Sequence, residues 1–364
     1  MEIKSLLEEL VSRKASDLHL RAGCPAMLRI DGQLVAMEQT FAPAETESIA
    51  LSMMNEAQKE TYRQRHEADL AYSHPNIGRF RVNVFSQRGQ MSLVFRVIPT
   101  AIPSIAELKL PPVIEQIANN QRGLVLVTGT TGSGKTNTLA AMIDHINRTR
   151  SAHIVTIEDP IEFLHEDNKS IISQRELGFD TLTYLDALRN VVRQDPNVIL
   201  LGEMRDLETV SAAITAAQTG HLVLSTLHTV NAAQTVNRIV DLFPPHQQTQ
   251  TRILLADTLK AVVSQRLLAC ASGTGRVPAV EVLIVTQLVK KLIEENTISE
   301  ISNVMKQGQF YGMQTFNQAL IKLFKEGSVK LEDALNAASN PEELMLAVRG
   351  VESSSENANN FLER

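Results

Sequence analysis

The chain has 364 residues, 43% of them hydrophobic and 21% charged, with a formal net charge of -6; two domains are expected, because that length exceeds what one core usually serves. This composition is too polar for a membrane-embedded protein, and the acidic total argues against nucleic acid, whose phosphates require a basic surface. The two cysteines, Cys24 and Cys270, exclude a disulfide framework or a four-thiolate zinc site within one chain.

The first residues carry Ile3, Leu6, Leu7, Leu10 and Val11 at helical spacing, which predicts an amphipathic helix rather than a secretory signal. No apolar run reaches the length of a membrane span, so a cytoplasmic location is expected. Strands are predicted at residues 16–20, 26–30 and 33–35, with Asp31-Gly32 as a tight hairpin turn. Residues 43–66 read as helical; 78–85 and 91–97 read as a second hairpin turning at Arg88-Gly89. Residues 1–98 are therefore expected to form an α+β domain.

Prolines 99, 103, 111 and 112 mark a linker over 99–112. Beyond it, apolar runs at 124–127, 154–157, 198–201 and 222–224 alternate with helical stretches, which predicts an α/β domain built on a parallel sheet. From about Val280 the pattern is mainly helical to residue 349, and the polar residues 350–364 are expected to be a disordered tail.

Gly129-Thr-Thr-Gly-Ser-Gly-Lys-Thr136 follows a predicted strand and precedes a predicted helix over 137–150, the setting a phosphate-binding loop requires. Backbone N–H groups of Gly129, Thr130, Thr131, Gly132, Ser133 and Gly134 can converge on phosphates at the helix start. Lys135 can reach the β- and γ-phosphates, Thr136 can bind magnesium, and Asn137 follows them. Hydrolysis further needs an acid near the γ-phosphate. Two strand ends offer one: Glu158-Asp159-Pro160, and Glu203 after Val198–Gly202, each of which could instead merely cap a helix. Thr219-Gly-His221 and Thr226-Leu-His228 place two histidines at opposite ends of a strand, too far apart to share an ion. His221 could sense the γ-phosphate or hold the catalytic acid. Arg79, Arg81 and Arg96 on the second hairpin could meet phosphate charge, or could be solvated strand-face residues. A GTPase is disfavoured, since Asn168-Lys-Ser-Ile171 lacks the final acid of the guanine motif.

Together the phosphate loop, Glu158-Asp-Pro-Ile-Glu162, Gly202-Glu-Met-Arg-Asp206 and the two histidine motifs resemble the secretion and type IV pilus ATPase family over residues 1–349. The resemblance implies a RecA-like ATPase domain preceded by a smaller, PAS-like α+β domain, with ATP and Mg2+ as cofactors. It implies that Glu203 is the Walker B acid and general base, that Glu158 lies in the aspartate box, and that Thr136, Glu158 and Glu203 surround the metal. His221 and His228 would form the histidine box, and Arg79 and Arg81 would approach nucleotide at domain and subunit boundaries. It further implies a six-membered ring acting on an inner-membrane pilus platform protein, with a paralogous ATPase as a further candidate partner.

The missing zinc cysteines, together with Ser16–Leu20, Gln174-Arg-Glu176 and Gly312–Thr315, favour the retraction branch. Thr136-Asn137 in place of Ser-Thr, Asn197 in place of an aspartate, and the partial Ala-Ile-Arg-Asn-Leu match at 286–293 depart from the pattern. The alternatives are an accessory retraction paralogue, an extension or type II secretion ATPase, and an ATP-binding assembly ring with little turnover.

Overall fold

A computed structural model describes residues 3–30 and 32–349; Asp31 of the expected hairpin turn and the expected tail at 350–364 lie outside the described residues. The chain divides into two compact units, Met1–Ala101 with Glu162–Leu164, and Ile102–Ile161 with His165–Arg364.

The first unit holds six antiparallel strands: β1 (Asp17–Arg21), β2 (Pro25–Ile30), β3 (Gln33–Thr40), β4 (Glu67–His74), β5 (Gly78–Gln87) and β6 (Gln90–Ile98). Their order across the sheet is β3-β2-β1-β6-β5-β4. Alternation along β5 sends Phe80, Val82 and Val84 into the core and leaves Arg79, Arg81 and Asn83 on the other face. Leu6, Leu7 and Leu10 of the first helix, Ile3–Ser12, close that core, whereas Val11 faces outward. The helical stretch 43–66 is two helices, Pro43–Met53 and Glu56–Arg65. The break lies at Asn55, whose side chain accepts from Gln58 N at 2.9 Å while its own N–H donates to Gln58 Oε1 at 2.9 Å, a reciprocal cap that starts a new helix.

The second unit holds β7 (Gly123–Thr128), β8 (His153–Glu158), β9 (Ile171–Glu176), β10 (Val198–Leu201), β11 (Leu222–Leu227), β12 (Leu259–Ala269) and β13 (Arg276–Ile284). They form one sheet in the order β13-β12-β7-β11-β10-β8-β9, parallel throughout except for β13, which runs antiparallel to β12. The apolar runs read as central strands because both faces are covered. Along β7, Leu124 and Leu126 enter one core while Val125 and Val127 enter the other, and Ile199/Leu201 and Val198/Leu200 of β10 divide the same way. Helix Lys135–Thr149 packs in the second of these cores and helix Leu207–Gln218 in the first. Ile105 and Leu110, between prolines 103 and 111, are also buried in the second core. The expectation of an α/β ATPase domain preceded by a smaller α+β domain is borne out.

Four strands escape the sequence reading. β4 and β9 are half-polar, and β12–β13 occupy the stretch just before and across the expected start of the helical tail, which begins instead with Gln287–Glu294.

Candidate active site

Parallel strands bring their carboxyl ends to one edge of the sheet, and in an open α/β sheet ligands bind along that edge where the strand order reverses. β7 lies between β11 and β12, and its end, Thr128, leads directly into the phosphate loop. Gly129 has φ 143°, and a Cβ there would stand 2.5 Å from both Ser133 Oγ and Gln265 O, so only glycine lets the loop fold this tightly. Gly134, with φ 91°, opens helix Lys135–Thr149. From β12 beneath the loop, Gln265 donates through Nε2 to Thr138 Oγ1 of that helix at 2.7 Å, and Ser264 Oγ accepts from Thr128 Oγ1 at 2.9 Å. Both bonds are buried and anchor strand, loop and helix together.

Lys135 Nζ donates to the carbonyls of Gly129 at 2.8 Å and Thr130 at 3.1 Å, spanning the loop. Burial pulls its pKa down and the negative charge of Glu203 partly restores it, which places the two side chains in one electrostatic field. Ser133 Oγ is buried and meets no hydrogen-bond partner among the described residues. A buried hydroxyl in that position suits a phosphate oxygen.

Glu158 ends β8 with its carboxylate buried. Its Oε1 accepts from Thr156 Oγ1 at 2.6 Å and from Gln174 Nε2 at 3.2 Å, while Gln174 Oε1 accepts from His165 N at 2.9 Å. Gln174, on the edge strand β9, thus ties the acid to the chain that follows it.

Glu203 lies just beyond β10. Gly202 N donates to Ile157 O at 2.9 Å, Thr226 Oγ1 to Gly202 O at 2.6 Å, and Met204 N to Thr226 O at 3.1 Å, so neighbouring strands on both sides hold the turn that presents the acid. Its Oε1 is paired with the Arg205 guanidinium and its Oε2 lies 3.3 Å from His228 Nε2. Asp206, by contrast, caps helix Leu207–Gln218 by accepting from Thr209 N at 2.8 Å.

The loop residues 129–136, Glu158, Glu203 and His228 therefore share one sheet edge. His221 does not. It precedes β11, its carbonyl accepting from Gly123 N, the first residue of β7, at 3.0 Å, and its Nδ1 sits 2.9 Å from Ala216 O. The six residues of β11 separate it from the phosphate edge by about 20 Å, so within one chain it can neither sense a γ-phosphate nor hold Glu203. The acid-holding role considered for it falls to His228 and Arg205. Arg79 and Arg81 belong to the first unit, on the outward face of β5; Arg81 Nε lies 3.8 Å from Asp69 Oδ1 in an exposed pair. Arg96 Nε donates to the buried Asp17 at 2.8 Å.

Comparison with known proteins follows the same lines. The family described as Type II/IV secretion system protein matches residues 1–336. The chain belongs to that family. With this site it is one of the family's ATPases. Among its relatives, a twitching motility protein of Neisseria gonorrhoeae is 47% identical over 324 residues, 89% of this chain and 87% of that protein. The type IV pilus retraction ATPase PilT of Pseudomonas aeruginosa is 43% identical over 94% of this chain and 99% of its own. A crystal structure of the pilus retraction motor PilT with bound ADP superposes with a TM-score of 0.88 at 44% identity, covering 95% of this chain and 99% of that one. The resemblance read from the motifs is thereby borne out, and nucleotide binding at the loop edge accords with it.

At this sheet edge Gln174, Gln265, Arg205 and Tyr184, whose hydroxyl lies against Gly202, are not among the candidates the sequence marks, although Gln174 and Arg205 fall inside quoted motifs. Gln174 and Gln265 reach the site through strand order and Tyr184 from a helix start, which no local spacing marks; Arg205 is local to Glu203, and only the fold shows that it turns back onto that acid. Among the described residues no group of three or more His, Cys, Asp or Glu side chains could hold a metal by itself, and no helix is long and apolar enough to cross a membrane.

Proposed function

We propose that this chain is an ATP-hydrolysing motor that works as a hexameric ring in the cytoplasm and drives type IV pilus retraction through an inner-membrane platform protein. The observation that carries the reading is a phosphate loop and two strand-end acids on one sheet edge, in a chain that aligns along nearly its whole length with PilT.

Lys135 leaves the loop carbonyls to meet the β- and γ-phosphates, and Ser133 Oγ and the loop N–H groups take the remaining oxygens. The available donors around the phosphates are hard oxygens, the Thr136 hydroxyl and the carboxylates of Glu158 and Glu203, which fit Mg2+ better than a softer metal. Held by these residues, the ion would neutralise phosphate charge. Glu203 accepts the proton of the attacking water, His228 and Arg205 set its orientation, and Thr156 and Gln174 hold Glu158 at the neighbouring strand end, where it would help to hold the ion. Arg79 and Arg81, from the domain at 1–98 that precedes the linker at 99–112 and the ATPase domain at 113–349, supply positive charge to the γ-phosphate. Ordered firing around the ring then becomes motion of the platform.

The test is steady-state ATP hydrolysis with molecular mass measured in the same buffer. Wild type should turn over ATP as a ring. Lys135→Ala should lose binding and turnover, and Glu203→Gln should bind ATP while its turnover falls at least a hundredfold, the scale of a lost general base. A Glu203→Gln variant with undiminished turnover would remove the mechanism. A cell carrying that variant should extend pili and fail to retract them.

A further inference from the structure

Tyr184 is the first residue of helix Tyr184–Val191, whose start is fixed by Thr183 accepting from Asp186 N at 3.0 Å and whose Ala187, Leu188 and Val191 are buried. That anchoring leaves the phenol half-buried with its hydroxyl over Gly202. A methyl group on Gly202 would stand 2.8 Å from Tyr184 Oη, 3.5 Å from Ile157 O and 3.6 Å from Glu158 Cα. The hydroxyl thus lies at the seam between the ends of β8 and β10, where Glu158 and Glu203 leave their strands.

Burial pushes the phenol pKa up, and the charges of Asp159, Glu203 and Glu158 push the same way against Arg205. The group is a neutral O–H throughout the working pH range, and among carboxylates an O–H donates. A phenylalanine ring would fill the same space beside Gly202, so packing accounts for the ring and leaves the hydroxyl to be explained.

We propose that Tyr184 is a positioning residue for ATP hydrolysis: its hydroxyl donates into the Glu158/Glu203 acid pair and holds it in register with the attacking water. The inference rests on the ATPase reading. Glu203 already meets Arg205 and His228, and a donor over Gly202 supplies a further fix from the β8–β10 seam. Because the hydroxyl acts through the acids and not on ATP, its loss falls on kcat and leaves KM alone.

Steady-state kinetics of the full-length protein test this with Tyr184→Phe, Gly202→Ala, their double variant and Lys135→Ala. Tyr184→Phe should lower kcat about tenfold, the scale of one hydrogen bond to a charged group, with KM for ATP and affinity for ADP changed less than about twofold. Gly202→Ala keeps the phenol but displaces its oxygen; it should lower kcat similarly, and the double variant should lose no more than the worse single one. An undiminished kcat in Tyr184→Phe overturns the proposal, as does a raised KM with kcat unchanged, which would mean the hydroxyl contacts ATP instead. If Tyr184→Phe fails to fold, an undiminished kcat in Gly202→Ala overturns it equally. Wild type indistinguishable from Lys135→Ala would overturn the ATPase reading and this inference with it, whereas a Lys135-dependent wild type unaffected by Tyr184→Phe removes this inference alone.

Discussion

His165 shows how one buried side chain sets a pH limit. Its Nδ1 is buried and finds no hydrogen-bond partner among the described residues, and burial holds its pKa down to about 4 against the opposing charge of Asp144. The folded pKa lies below the ordinary value of 6.5, so the unfolded chain takes up the proton first. Stability is therefore unaffected by this group above about pH 6.5, falls as pH drops, and levels off below about 4, a loss of about 3 kcal/mol at most. His165→Gln should flatten the acid limb of stability against pH measured by urea unfolding; parallel curves for the two proteins would contradict this. At the same scale, the loop lysine, Thr136, Glu158, Glu203 and His228 were all legible in the sequence, because each belongs to a local motif whose chemistry needs only its neighbours in the chain. His221 was misplaced for the same reason. A motif shows that two histidines flank a strand, and only the strand's direction shows that one of them lies at the far end from the phosphates.

At the scale of elements, the legible strands were those buried on both faces, such as β10 with four apolar residues in a row. β9 was not, since an edge strand reading Ile-Ile-Ser-Gln-Arg-Glu, with Ile171 58% exposed, has no apolar run to betray it. It matters nevertheless, because it carries Gln174 to Glu158. What fixes the approach to β9 is Asn147, in the last turn of the helix that starts at the phosphate loop. Its buried carboxamide donates to Glu166 O at 2.7 Å and accepts from Asn168 N at 3.1 Å, and its backbone carbonyl accepts from Lys169 N at 3.0 Å. The end of the helix and the approach to the edge strand are joined at this residue. Asn147→Ala leaves a carbonyl and an N–H without their partner and should cost about 2 kcal/mol in chemical denaturation. A change below about 0.5 kcal/mol would show that water replaces the carboxamide without loss.

For the whole molecule, the division of labour between the two units decides what a single chain can do. Every group at the phosphate edge, from Lys135 to Glu203, comes from the second unit, which has its own sheet and cores. The first unit has a separate core and exposes Arg81, 46% accessible, whose ion-pair partner among the described residues is Asp69 at 3.8 Å, a contact worth little at a surface. An arginine stabilises transferring phosphate strongly only when it is supplied at the reacting group, and in ring ATPases it can be supplied by another copy. Arg81→Ala should therefore lower kcat by at least about a hundredfold while ATP binding, measured at the loop, stays intact. Mixing decides where the arginine acts. Lys135→Ala copies lack the loop cation but keep Arg81; Arg81→Ala copies keep the loop. If the arginine acts across copies, co-assembled rings contain some complete sites, and ATP hydrolysis by the mixture should exceed that of either variant alone. A mixture no more active than its better parent would place Arg81 in service of its own chain's nucleotide, and motion would then have to arise from closure within each subunit.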